Sequence, residues 1–444
     1  MVRQALFLAM SGVRIRNPEL LSLGMTLPGF VERGKVIASL PSLGILTVAA
    51  QLPEDWTVEY EDIDLLDEAA IARYQSHPAR FVAISSLSAR IDAAYRLADA
   101  MRSVGKTVVL GGLHASALPD EAAHHADAVI VGEGENVFAL LVRDFESGSL
   151  KRRYDARTAE PRFGHGPLPR YDLLDPERYN RFTLQTTRGC PLDCAFCAAS
   201  RLISPYRKKP MERIAAEIES ILEVWSRPFI ELADDNSFVD KRWSRGLVDL
   251  LGSYRLRWFT ESDISLADDD ALLERLARSG CAQVLIGLES IDLRSLDETD
   301  TRRWKAKRRE HYLKAIAKIQ SYGISVNGCF ALGFDADGLG VFEATRDFVL
   351  ESGLAEVQIT ILTPFPGTAL TARLKSEGRL HAERYWDRCT LFDVVYDPLK
   401  MSPSELESGF RWLAAELYRS DRTEARKRAF RACVRARHEA PAVV

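Results

Sequence analysis

Short apolar runs alternate with amphipathic stretches through the first third of the chain. In residues 91–104, for example, apolar residues recur every three or four positions, which is typical of a helix packed on one face. The predicted strands are residues 5–10, 56–60, 81–85, 107–110 and 128–131. Because strands alternate with helices, residues 1–146 are predicted to form a doubly wound, Rossmann-like parallel sheet.

The same alternation returns after residues 147–182, which are rich in Pro, Arg, Asp and Tyr and are predicted to be a linker. Six strands with intervening helices then predict an α/β domain over residues 183–370, a partial (β/α)6 TIM-like barrel. Those strands are residues 183–186, 229–233, 258–261, 284–288, 325–332 and 356–362. Residues 371–444 are predicted to be helical, with a capping box that begins at Ser402.

Composition narrows the class of protein. The 444 residues are 46% hydrophobic and 27% charged with a net charge of −4, which is ordinary for a soluble globular chain. We therefore expect no nucleic-acid partner and no membrane partner, and the basic stretch 419–437 is interpreted as a solvated helix face. Seven cysteines, three of them clustered, do not form a secreted disulfide pattern, so the sequence predicts a cytoplasmic protein.

The cysteine cluster is the strongest chemical signal. Cys190, Cys194 and Cys197 form a C-x3-C-x2-C motif directly after a predicted strand. Structural zinc would want a fourth ligand, and a disulfide would leave one cysteine over. Three thiolates that hold a [4Fe-4S] cluster leave one iron open for a ligand, so iron–sulfur is the favoured interpretation, with zinc as the alternative.

The motif, with an aromatic residue before its last cysteine, resembles the radical S-adenosylmethionine (SAM) superfamily. The resemblance implies that the open iron binds SAM and that one electron, from a donor such as flavodoxin or ferredoxin, cleaves SAM to a 5′-deoxyadenosyl radical that attacks a small-molecule substrate. It also implies cofactor-binding roles for Phe196 within the motif, near the adenine, and for residues in or after the barrel strands: Asp234, Asp235, Asn236, Glu261, Asp263, Glu289, Ser290 and Asn327.

Elementary chemistry agrees with those roles. SAM carries an ammonium group, a sulfonium and two ribose hydroxyls, so its site needs carboxylates and other acceptors. The alternative is that individual acids only cap the helices that follow them.

The N-terminal region resembles the cobalamin-binding domain that is fused to many radical SAM enzymes. The resemblance rests on residues 81–90, 111–114 and 132–135. The Asp-x-His-x-x-Gly motif that supplies a cobalt ligand is absent, and His114 is the nearest imidazole. The sequence therefore allows cobalamin as a cofactor but does not favour it.

The acids exceed what SAM alone requires, since Asp335 and Asp337 follow a further strand. Buried carboxylates need cations or donors, so a cationic, hydroxylated, amino-sugar-like substrate is favoured. The expected reaction is then elimination of water by a dehydratase or lyase, with Tyr206, Lys208 and Asp234 as catalytic residues.

More faintly, the domain architecture resembles that of the apramycin-pathway diol dehydratase of antibiotic biosynthesis. A cobalamin-dependent C-methyltransferase and an iron–sulfur or cobalamin sensor or carrier are the alternatives.

Overall fold

The computed structural model describes residues 3–10, 18–23, 40–198 and 204–439. Across these ranges the chain forms two six-stranded sheets, one after the other, and a short two-stranded ribbon. No helix in the same ranges is both long and apolar enough to cross a membrane.

The first sheet has the strand order β2-β1-β3-β4-β5-β6, and every neighbouring pair is parallel. Its strands are β1 (Arg3–Met10), β2 (Trp56–Asp62), β3 (Phe81–Ser86), β4 (Thr107–Gly111), β5 (Ala128–Val131) and β6 (Arg153–Asp155). Its helices are α1 (Pro18–Ser22), α2 (Leu43–Ala49), α3 (Glu68–Ser76), α4 (Ile91–Ser103), α5 (Leu113–Ala117), α6 (Pro119–His125) and α7 (Phe138–Glu146). The predicted doubly wound fold is confirmed, and ligands of such sheets bind at the carboxyl ends of the strands.

The sheet continues into the segment that was predicted as a linker. β6 pairs in parallel with β5 from Val129↔Arg153 to Val131↔Asp155. A strand of three residues is too short to show an alternating pattern, and so the sequence carried no signal for it.

The second sheet has the order β14-β13-β12-β11-β10-β7 and is again parallel throughout. Its strands are β7 (Phe182–Leu184), β10 (Phe229–Leu232), β11 (Arg257–Ser262), β12 (Cys281–Glu289), β13 (Ser325–Leu332) and β14 (Glu356–Ile361). The helices are α8 (Met211–Val224), α9 (Lys241–Ser253), α10 (Asp270–Arg278), α11 (Leu293–Asp297), α12 (Trp304–Arg308), α13 (Tyr312–Ser321), α14 (Val341–Ser352) and α15 (Ala369–Ser376). This is the predicted partial (β/α)6 barrel.

A two-stranded antiparallel ribbon, β8 (Thr187–Arg188) with β9 (Arg207–Lys208), follows the first barrel strand. The three clustered cysteines lie between its strands, in residues 190–197, which we call the cysteine loop. The chain ends in α16 (Pro403–Tyr418) and α17 (Ser420–Glu439), and the capping box between Ser402 and Glu405 is present.

The two domains share apolar packing. Val82 and Leu110 of the first sheet belong to the same buried cluster as Leu370 and Trp386, which follow the barrel. This shared packing holds the two domains together.

Candidate active site at the barrel mouth

Three parts of the barrel domain hold the cysteine loop in place. Asp235, just after β10, accepts a hydrogen bond from the N–H of Gly189 (2.9 Å). The N–H of Ala195 donates to the carbonyl of Thr299 (2.8 Å), and the carbonyl of Ala195 accepts from the N–H of Leu370 (2.9 Å). The loop is therefore positioned from both sides of the barrel mouth.

The three thiols suit an iron–sulfur cluster in their chemistry. Cys190, Cys194 and Cys197 are only partly buried, and the N–H of Cys197 donates to the carbonyl of Cys194 (3.1 Å) in a tight turn. Burial raises the pKa of Cys194 to about 12, although the charge of Lys305 acts in the opposite direction. As they stand, no three His, Cys, Asp or Glu side chains in the described ranges are close enough to hold a metal ion. Iron binding would have to draw the loop together.

Asp234 was predicted both to bind cofactor and to act in catalysis. Its carboxylate is buried and accepts hydrogen bonds from the N–H groups of Thr186 (2.6 Å) and Thr187 (2.9 Å) and from the hydroxyls of Thr186 and Ser237. These four bonds use the whole carboxylate to hold the strand that leads into the ribbon. The geometry supports a positioning role, and a catalytic role for Asp234 stays a prediction.

Asn236 and Asp263 face each other across neighbouring strand ends. The Asn236 amide N–H donates to Asp263 (2.8 Å), and Asp263 also accepts from the N–H of Ser265 (2.9 Å), which makes it a cap. The amide oxygen of Asn236 is buried and has no hydrogen-bond partner within the described residues. The amide oxygen of Asn327, on β13, is in the same state. These two buried oxygens can therefore accept hydrogen bonds from a ligand such as SAM.

Glu261, on β11, has other carboxylates nearby, and although part of its surface reaches solvent, protein atoms surround much of the side chain. Burial among protein atoms, together with the charges of Glu231, Asp235 and Asp234, raises the pKa of Glu261 to about 8. A carboxylate in that setting attracts a cation such as the ammonium of SAM. Ser290, in contrast, is buried and accepts from the N–H of Asp292 (3.1 Å), which is a local turn.

A lysine that sequence reasoning missed lies beside Glu289. The Lys305 ammonium on α12 is buried and donates to Glu289 (2.6 Å) and to the carbonyl of Gly287 (2.7 Å). Burial alone would lower the pKa of Lys305, but the charges of Glu289 and Cys194 outweigh it and raise that pKa. A permanent positive charge therefore faces the cysteine loop. In the sequence, Lys305 lies in a basic run that looks like a solvated helix face.

The two predicted proton donors behave differently. Burial, with Asp234 and Asp240 nearby, raises the pKa of Tyr206 to about 12, and its buried hydroxyl has no partner in the part of the chain that is described. Lys208 forms an ion pair with Asp240 at the surface (2.5 Å). Phe196, within the cysteine loop, packs its ring against Phe334 at 6.1 Å between centroids.

The acids that suggested a cationic substrate already have partners. Asp335 forms ion pairs with Arg373 and with Arg379. Asp337 is buried and accepts from Ser295 (2.6 Å) and from the N–H groups of Gly333 and Phe334. Neither carboxylate is available for an amino sugar, so the count of strand-end acids overstated the charge of the site.

A cavity of about 360 Å³ lies between the two domains. Its walls come from α2, from the carboxyl ends of β3, β4 and β5, and from Gln185, Arg188 and Ala233 of the barrel domain. Gly112 and Gly132 have positive φ angles of 98° and 89°, and a Cβ at Gly112 would lie 2.8 Å from the Ser85 hydroxyl. The glycines therefore let a large ligand approach the backbone. We call this space the interdomain cavity.

Among the described residues that line the interdomain cavity there is no histidine. His114 is buried instead, with its ring nitrogens 3.0 Å from the Ser88 hydroxyl and 3.4 Å from Glu121, and it packs against Trp386. Its imidazole is therefore not placed as a ligand for a group in the cavity.

Ion pairs join the wall of the interdomain cavity to the ribbon. Arg188 contacts Glu133 (3.0 Å) and Glu135, and Arg207 contacts Glu133 (2.7 Å). We call these four residues the interdomain clamp. Burial raises the pKa of Glu133, but the charge of Arg188 and hydrogen bonds from Ser204 and Arg207 outweigh it and lower that pKa below its usual value.

Comparison with known proteins identifies both domains. A model of the B12 binding domain matches residues 33–142, and a model of the radical SAM superfamily matches residues 184–349. The chain therefore belongs to the radical SAM superfamily and carries an N-terminal B12-binding domain. The prediction of a [4Fe-4S] cluster and SAM as cofactors is confirmed by that membership.

Two relatives from Chlorobaculum tepidum are similar along most of their length. The bacteriochlorophyllide d C-12(1)-methyltransferase is 26% identical over 88% of this chain and 84% of its own. The bacteriochlorophyllide d C-8(2)-methyltransferase is 29% identical over 74% and 76%. Both are methyltransferases.

A solved structure shares the fold of both domains. TsrM from Kitasatospora setae, a radical SAM methyltransferase with tryptophan and a SAM analogue bound, has a TM-score of 0.63 at 16% identity and covers 92% of this chain and 83% of its own. The same enzyme with cobalamin and a [4Fe-4S] cluster bound gives 0.61.

The prediction of a dehydratase or lyase is wrong. The relatives are methyltransferases, and the acids on which that prediction rested are engaged within the protein. The expectation of an amino-sugar-like substrate and of antibiotic biosynthesis loses its support for the same reason.

The cysteine loop generates the first prediction. Replacing Cys190, Cys194 or Cys197 by Ala is expected to abolish the iron and sulfide content of the reconstituted protein, because three ligands leave none to spare. Cys281→Ala and Cys389→Ala are controls, since both thiols are buried and neither belongs to the cysteine loop. Equal iron content in the loop variants and the controls would contradict the assignment.

The raised pKa of Glu261 generates the second prediction. Its raised pKa means that the folded chain binds this proton more tightly than the unfolded chain, so the stability it contributes is present below about pH 4.5 and is lost as pH rises through about 8. Between pH 6 and 8.5 the thermal midpoint of the cofactor-free protein should fall further than that of Glu261→Gln, by at most about 1–2 °C because solvent screens an exposed carboxylate. Parallel pH profiles for the two proteins would show that Glu261 has an ordinary pKa.

Proposed function

We propose that the protein is a cobalamin-dependent radical SAM methyltransferase that acts on a small-molecule substrate. The observation that carries this proposal is the interdomain cavity, which lies at the carboxyl edge of the B12-binding domain and is closed by barrel residues next to the cysteine loop. The names of the two relatives support methyl transfer, and their wide coverage supports the same order of domains.

Each cofactor has residues that fit it. Cys190, Cys194 and Cys197 would hold the cluster. Asn236 and Asn327 would accept hydrogen bonds from SAM, and Glu261 would pair with its ammonium group; Asp235, Asp263, Glu289, Ser290 and Phe196 surround the same space as predicted contacts. When bound, the cluster supplies the electron that cleaves SAM, and the corrinoid carries a methyl group.

The lining of the interdomain cavity suits a corrinoid in its chemistry. Apolar residues such as Leu43, Val48, Leu87 and Phe138 line much of it, and the glycine turns after β4 and β5 leave the backbone accessible. We propose that a corrinoid binds here without a histidine ligand from this chain, because the imidazole of His114 points to Ser88 and Glu121.

The charged side chains near the barrel mouth are already paired within the protein, so they do not require a charged substrate. Lys208 pairs with Asp240, and Asp335 with Arg373 and Arg379. We also propose a cytoplasmic site of action and an electron donor such as flavodoxin or ferredoxin. The clustered cysteine motif supports both, because thiolate ligands of an iron–sulfur cluster need a reducing compartment and the cluster needs a source of electrons.

The test is anaerobic reconstitution with iron, sulfide and hydroxocobalamin, followed by turnover with SAM and a reductant. We expect about one corrinoid per chain, and both 5′-deoxyadenosine and S-adenosylhomocysteine as products. 5′-Deoxyadenosine from a protein that binds no corrinoid would overturn methyl transfer. Absence of both products would favour the sensor or carrier instead.

A further inference from the structure

The interdomain clamp has two faces. On one side, Glu133, Glu135 and Arg188 line the interdomain cavity. On the other side, Arg188 ends β8 two residues before Cys190, and Arg207 begins β9, which pairs with β8 through Arg188↔Arg207. The same side chains therefore contact the cavity and the two strands from which the cysteine loop starts and to which it returns.

The clamp is buried and closely fitted. The side chains of Glu133, Glu135 and Arg188 are only 4%, 10% and 14% exposed. Gln185 adds to the contact, because its amide oxygen accepts from Arg188 (2.9 Å) and its amide N–H donates to the carbonyl of Ala233 (3.1 Å). The Arg188 guanidinium also stacks over the ring of Phe163 at 4.4 Å. A network like this has a sharply defined arrangement, because a broken pair leaves a buried charge.

We propose that the interdomain clamp makes two binding events cooperative: a corrinoid in the interdomain cavity and the cluster on the cysteine loop each raise the affinity for the other. Glu133 and Glu135 are then positioning residues that act through Arg188. The inference rests on the proposed function for the identity of the ligand in the cavity.

The two binding events are coupled because each of them orders the side chains of the interdomain clamp. A ligand that fills the interdomain cavity removes water from the clamp, and ion pairs strengthen when solvent is excluded. The ordered Arg188 then fixes β8 and, through it, the start of the cysteine loop. By linkage, a cluster that orders the loop must tighten corrinoid binding by the same factor.

The experiment measures hydroxocobalamin affinity by equilibrium dialysis in four full-length backgrounds, each with and without a cluster. The cluster-free form carries Ala at Cys190, Cys194 and Cys197. In the wild-type clamp we expect the cluster to tighten hydroxocobalamin binding about tenfold. In Glu133→Gln/Glu135→Gln the difference should fall below about twofold.

Two further variants separate coupling from general destabilisation. Glu217→Gln removes a buried carboxylate that pairs with Lys209 (2.6 Å) and Arg213 (2.8 Å) but does not line the interdomain cavity, so it should keep the tenfold difference. Arg207→Gln is a milder change of the clamp, because this side chain is 28% exposed, and it should narrow the difference even if the double variant does not fold.

The outcomes are distinct. Tight hydroxocobalamin binding that is equal with and without the cluster overturns the coupling alone. A tenfold difference that survives in both clamp variants, or that is lost equally in Glu217→Gln, also overturns it. Failure of the cluster-loaded wild-type protein to bind hydroxocobalamin overturns the proposed function and the coupling together.

Discussion

The ion pairs of Arg188 with Glu133 and Glu135 are the interaction on which the arrangement of the site depends. They join the turn after β5 to the ribbon that carries the cysteine loop, and they do so at the wall of the interdomain cavity. A shared apolar cluster holds the two domains together, but apolar contacts do not specify one relative orientation. The Arg188 guanidinium and the two carboxylates do, because their hydrogen bonds require a defined geometry. The position of the B12-binding domain relative to the cluster ligands therefore follows from a few buried charges.

The barrel mouth shows how carboxylates at strand ends divide into two kinds. Asp234 and Asp337 are fully hydrogen-bonded by their neighbours and hold loops in place. Glu261 is surrounded by other acids, and Asn236 and Asn327 present buried oxygens without partners within the described residues. The first kind stabilises the mouth and the second kind provides its binding capacity. Lys305 adds a fixed positive charge beside the thiols, which offsets the negative charge of the surrounding acids.

Local patterns in the sequence were sufficient for the fold and for the cysteine motif, because a strand, a helix cap and the spacing of Cys190, Cys194 and Cys197 are all expressed within a few residues. The interdomain clamp was not predictable, since Arg188 and Glu133 are 55 positions apart and each looks like an ordinary surface charge. Asp335 was misjudged for the same reason: its partners Arg373 and Arg379 lie 38 and 44 positions away. Whether a carboxylate is free depends on tertiary contacts, and those decided against a cationic substrate.

We propose that the interdomain clamp lies between the corrinoid and the cluster and couples their binding. Anomalous scattering at the iron and cobalt edges, from crystals of protein loaded with both cofactors, tests it directly. The account predicts an iron peak at Cys190, Cys194 and Cys197 and a cobalt peak inside the interdomain cavity, with Glu133 and Arg188 between the loop and the cavity. A cobalt peak outside that cavity, or none in protein that contains stoichiometric corrinoid, would contradict it.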